Sequence, residues 1–130
     1  MPLIVDASAV AAWLMPDESG YDLAALARQH GDFIAPTLLW IELRNILLVA
    51  ERRQRLKVSG TEDALAALGR LGISLDAEPS SAAVFRLARS HGLSGYGALY
   101  LELALRRSGA LATGDIALVR AARAEGVSVA

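Results

Sequence analysis

The sequence predicts an α/β domain: a short-stranded parallel sheet flanked by helices on both faces. Three observations point there. Short apolar runs alternate with stretches of helical periodicity along the whole chain. No linker, repeat or low-complexity segment divides its 130 residues, so 1–130 is expected to be one domain. Two apolar runs, Leu3-Ile4-Val5 and Gly109-Ala110-Leu111-Ala112-Thr113, lead into aspartates at 6 and 115. In open parallel sheets, sites gather outside the carboxyl ends of strands.

The elements follow in order. Pro2 to Val5 reads as a buried strand, Asp6-Ala7-Ser8 as a turn with cap chemistry, and Ala9 to Leu14 as a helix. Met15 to Gly20 breaks the pattern. Tyr21 to His30 is helical and Gly31 takes a C-cap position. Asp32 to Ala35 is a second strand. Pro36 suits the first turn of a long helix to about Lys57, in which Leu39, Leu43, Ile46, Leu47 and Ala50 recur at helical spacing. Ser59-Gly60 is a break, and Thr61 caps a helix to Leu71. Ile73 to Leu75 is a strand, Pro79 to Ser90 a helix ended by His91-Gly92, and Ser94 caps a helix to Arg107. Gly109 to Thr113 is a strand, Asp115 to Glu125 a helix, and Val127 to Val129 a last strand.

Composition narrows the chemistry. Hydrophobic residues make up 54% of the chain, enough for a sizeable core. Thirteen basic against fourteen acidic residues give a net charge of −1, so a nucleic-acid site must rest on a local patch or a metal. The absence of cysteine excludes disulfides, zinc-thiolate sites and thiol catalysis, and suits a reducing, cytoplasmic setting. No signal peptide or membrane-spanning run is expected.

Three carboxylates stand out. Asp6 and Asp115 follow apolar strands, and Glu42 lies among Leu38, Leu39, Trp40, Ile41 and Leu43. Burying such charges is costly unless a cation, a helix N-terminus or a proton compensates. Converging carboxylates raise one another's pKa, and a hard cation such as Mg²⁺ or Mn²⁺ reverses that. Each also has a plainer reading: Asp6 and Asp115 as helix N-caps, Glu42 as a solvated helix residue. A phosphotransfer domain with Asp6 as nucleophile fits less well. Ser8 stands where a second Asp would be needed, and no glycine-rich phosphate loop is present.

Four segments in order, Leu3 to Ala9, Pro36 to Asn45, Leu93 to Ala104 and Leu111 to Asp115, resemble the PIN domain, and within it the VapC toxins of bacterial VapBC toxin–antitoxin pairs. The resemblance spans essentially the whole chain. It implies a Mg²⁺- or Mn²⁺-dependent endoribonuclease with four acids at the carboxyl edge of a parallel sheet. By position, Asp6, Glu42 and Asp115 would be metal-binding acids, with Ser8, Thr113 and Asn45 as hydrogen-bonding support; Arg44 also matches the pattern. The remaining acid of the family falls at Gly97, in Ser94-Gly95-Tyr96-Gly97-Ala98. Gly97 has no ligand to offer, so impaired cleavage is expected, on the order of 10²-fold or more. A catalytically silent module that keeps its antitoxin or RNA interface is the alternative. Glu102 is a poor stand-in, being five residues further on and facing another way.

The resemblance also implies a VapB-like antitoxin, an RNA substrate such as tRNA or rRNA, and a homodimer. Arg44, Arg52, Arg53, Arg55 and Lys57, with Arg86, Arg89, Arg106 and Arg107 elsewhere, could track phosphates or simply be solvated. Trp13, Met15, Trp40 and Leu48 are candidates for partner surfaces, with core packing the stronger reading for each. His30 and His91 read as helix-terminal residues.

Overall fold

The computed structural model describes residues 1–18 and 20–130. Its strands are β1 (Leu3–Val5), β2 (Phe33–Pro36), β3 (Ser74–Asp76) and β4 (Ala110–Ala112). The helices are α1 (Ala7–Leu14), α2 (Leu23–His30), α3 (Leu38–Arg52), α4 (Val58–Leu71), α5 (Ser81–His91), α6 (Gly95–Arg106) and α7 (Ile116–Ala124). The strands form one parallel sheet in the order β3-β2-β1-β4, with Leu3 opposite both Phe33 and Ala110. The strand order reverses at β1, which puts a crevice between the ends of β1 and β4.

Alternation along the strands sorts the core into two layers. Leu3, Val5, Phe33, Ala35, Ala110 and Ala112 face one side, where they meet Val10, Leu23, Leu39, Leu43 and Leu68 of α1 to α4. Ile4, Ile34 and Leu111 face the other, against Leu87, Leu101, Leu103, Leu118 and Ala122 of α5 to α7. Helices therefore cover both faces, as the sequence predicts. Gly109 leads into β4 where the chain is tightest. A Cβ there would lie 2.4 Å from Ile4 Cδ1 and 2.8 Å from the Pro2 carbonyl.

Several boundaries differ from expectation. α3 ends at Arg52 rather than near Lys57, because Gln54 takes a positive φ of 60°. Arg55 then turns back to form ion pairs with Asp17 and Glu18. α4 starts at Val58, so Ser59 and Gly60 lie inside a helix rather than at a break. Thr61 is not a cap; its hydroxyl donates to Glu51 at 2.5 Å. Residues Val127 to Val129 do not form a strand but one parallel bridge, Leu111 to Val129. Gly126, at φ +79°, turns the chain there, and Val127 is drawn into the second core layer.

Candidate active site

The chain turns from each of two neighbouring strands straight into a helix, and an aspartate makes each turn. Asp6 follows β1 and caps α1, accepting from the Ala9 amide at 2.9 Å. Asp115 follows β4 by a short turn and caps α7, accepting from Leu118 N at 3.2 Å. The capping reading of both residues is thus correct, and both also line one cleft. That cleft measures about 270 Å³ and is lined by Asp6, Ser8, Glu42, Ser94, Tyr96, Gly97, Tyr100 and Asp115, among others. Among the described residues, no Lys, Arg or His lines it.

Asp6 is the buried member, 5% exposed. Ser8 Oγ donates to its Oδ1 at 2.7 Å, and the Thr113 hydroxyl donates to its Oδ2. Ser8 Oγ in turn accepts from Gly114 N at 2.9 Å, and Thr113 Oγ1 from Asp115 N at 3.0 Å. These two hydroxyls tie the loop after β1 to the loop after β4 through a single carboxylate. Burial pushes the Asp6 pKa up. The bonds from Thr113, Ala9 and Ser8 oppose this, and the nearby Asp115 charge adds to it.

Glu42 is half-buried on α3, and Tyr100 Oη donates to its Oε1 at 2.7 Å. Tyr100 is 3% exposed; burial and then the Glu42 bond raise its pKa far above the usual phenol range, so it stays a donor. Sequence reasoning assigned Tyr100 no role. A tyrosine between Leu99 and Leu101, in a helix of apolar periodicity, must find a partner for its hydroxyl when buried, and that was the available signal.

Gly97 sits in the first turn of α6, where its amide donates to the capping Ser94 Oγ at 3.1 Å. A Cβ at 97 would meet Ser94 Oγ at 3.6 Å and Leu93 Cβ at 4.0 Å, which are ordinary contacts. A side chain fits there. Asn45 and Arg44 are exposed on α3 and do not line the cleft. Glu102 is turned away. It accepts from Ser80 N and Arg106, and lines a separate cleft of about 150 Å³ with Asp76.

The basic residues divide. Arg55, Arg86, Arg106 and Arg107 are committed to carboxylates, and Arg89 stacks on Phe85 at 5.2 Å. Arg44, Arg52, Arg53 and Lys57 are exposed. Of the apolar surface candidates, Met15 is core, Trp13 and Trp40 pack against it, and Leu48 alone is exposed. His91 ends α5 and pairs with Glu125 at 2.7 Å; His30 ends α2.

The donor chemistry suits a hard divalent cation: carboxylate oxygens, one of them buried, with no basic side chain in the cleft. The number of donors falls short. Among the described residues, no group of three His, Cys, Asp or Glu is arranged as a ready metal site. Position 97, within the same cleft, contributes no donor.

A three-layer α/β domain with acids at its topological switch point is the class that fold and cleft define. The chain belongs to the PIN domain family, whose model matches residues 3–124. PIN domains are generally nucleases that use divalent metal ions. Solved structures agree in fold. PAE2754 from Pyrobaculum aerophilum is 25% identical with a TM-score of 0.73, over 93% of this chain and 79% of that one. FitAcB from Neisseria gonorrhoeae is 19% identical with a TM-score of 0.62, over 98% and 95%. A PilT N-terminus domain protein, SSO1118 from Sulfolobus solfataricus, is 14% identical with a TM-score of 0.55, over 100% and 86%. No curated protein matches the chain in sequence. Among the described residues, no helix is long and apolar enough to cross a membrane.

Proposed function

We propose that this chain, acting as a single 1–130 unit, is a Mg²⁺- or Mn²⁺-dependent endoribonuclease of the VapC toxin type, impaired by Gly97. One observation carries the reading: Asp6, Glu42 and Asp115 share a cleft that offers them no protein cation. Asp6 and Asp115 would hold the metal, with Glu42 presented by Tyr100. A divalent cation bound there supplies a Lewis acid that lowers the pKa of water and offsets charge on the phosphate. Ser8 and Thr113 fix the Asp6 carboxylate, leaving it no freedom to swing. Their donated bonds also favour its ionised form against the effect of burial.

A cognate VapB-like antitoxin would neutralise the enzyme, the exposed Leu48 face of α3 would suit a homodimer or that partner, and the setting would be cytoplasmic. Gly97 favours the second reading, a silent module that binds antitoxin or RNA without cleavage.

The test is Mn²⁺-dependent cleavage of structured RNA by the chain and by Gly97→Asp, with an EDTA control. The contacts around position 97 admit the new side chain, and the expected gain is on the order of 10²-fold. Equal cleavage by both would show that the three acids suffice. Silence from both, with intact folds, would favour the binding module.

A further inference from the structure

Beside three of the four site positions, the chain exposes a large apolar side chain. Ile41 precedes Glu42 and is 66% exposed; Tyr96 precedes Gly97 at 64%; Ile116 follows Asp115 at 69%. Elsewhere the large apolar residues of these helices are mostly buried, among them Leu39, Leu43 and Leu47 of α3 and Leu101 and Leu103 of α6. Leu48 of α3, away from the acids, is exposed as well, at 47%.

Tyr96 is distinct among the three because it also lines the acidic cleft. Its chain neighbours are Gly95 and Gly97, so neither carries a side chain to lean over the ring. With Gly97 in place of an acid, no carboxylate adjoins the ring on its own turn of helix. An open aromatic face beside a cleft that would take a phosphate has the geometry for stacking a flat, uncharged group.

We propose that Tyr96 is a stacking platform for a nucleobase of single-stranded RNA next to the scissile phosphate. The inference rests on the ribonuclease reading. Stacking on one aromatic tolerates any base, so the platform positions the strand without reading its sequence. It also lets a chain of net charge −1 hold RNA by other means than a basic surface. The exposed Tyr96 ring could instead meet a protein segment; its place in the lining of the acidic cleft favours the base, and the experiment separates the two.

The experiment is fluorescence anisotropy of a short labelled single-stranded RNA with the intact chain in Mg²⁺, the RNA checked for integrity on a gel. Tyr96→Ala is expected to weaken binding about tenfold, while Tyr96→Phe and Tyr96→Trp retain it. Tyr96 is exposed, so the fold should survive, and circular dichroism checks this. The second arm uses RNA with abasic sugars. The unaltered chain should bind it more weakly, and Tyr96→Ala should then cost nothing further. Binding of normal RNA by Tyr96→Ala at unaltered strength overturns the platform and leaves Tyr96 to a protein partner. An equal loss on normal and abasic RNA overturns it as well. If the unaltered chain binds no RNA at all, the ribonuclease reading falls, and the platform with it.

Discussion

Two groups of carboxylates stand near the carboxyl edge of the same sheet, and they are neutralised differently. On the β2–β3 side, Asp76 and the 3%-exposed Glu102 converge on Arg106, which bonds Asp76 through both amino groups at 2.9 Å and Glu102 through Nε at 2.7 Å. Arg106 holds the Asp76 carboxyl below its usual range. On the β1–β4 side, Asp6, Glu42 and Asp115 have hydroxyl, phenol and amide donors but no cation, and burial pushes the Asp6 pKa up. The first group is complete within the chain and serves the fold. The second retains uncompensated negative charge, which an enzyme can use and a purely structural cluster would shed.

The largest effect should come from breaking the uncompensated group. In the Gly97→Asp background, Asp6→Asn should lower Mn²⁺-dependent RNA cleavage on the order of 10³-fold, measured as initial rates. Breaking the paired group should instead unfold the protein more easily. Arg106→Met leaves Glu102 buried and unpaired, at about 3 kcal/mol in urea denaturation. Adding Glu102→Gln should recover part of that loss.

Acidity sharpens the contrast. The raised pKa of Asp6 means that its contribution to stability is present below the ordinary carboxylate range and lost as pH rises through the raised value. Asp6→Asn should therefore match the unaltered chain in acid and melt higher than it at pH 8. Asp76 has the opposite sign: its contribution is present above the ordinary range and lost as pH falls through its depressed value. The smallest effect is expected at Arg55, whose partners Asp17 and Glu18 are exposed; Arg55→Ala should leave the urea midpoint nearly unmoved.

The strands β1 and β4 were legible because short continuous apolar runs followed by aspartates are local signals. Leu3, Ile4 and Val5 announce a strand covered on both faces, and Asp6 follows from the chain order alone. The α3–α4 junction was not legible. Ser59-Gly60 looks like a break, yet both residues lie within α4. The actual break, at Gln54, accompanies a pull on Arg55 from residues nearly forty positions earlier. The Tyr100–Glu42 bond joins residues 58 positions apart, and no local pattern encodes it. Asn45 matched a motif by position; it is exposed on α3 and does not line the cleft.

The capping bonds give the four site positions unequal evolutionary freedom. Losing the side-chain acceptor of Asp6 or Asp115 removes the cap of α1 or α7, and losing that of Glu42 strands a buried phenol. Position 97 has no such second duty, because Ser94 already caps α6. On the proposed reading, substitution there would silence cleavage while folding stability passes unchanged to the next generation. A lineage under pressure to disarm such an enzyme would find this position the easiest to surrender, and the easiest to restore.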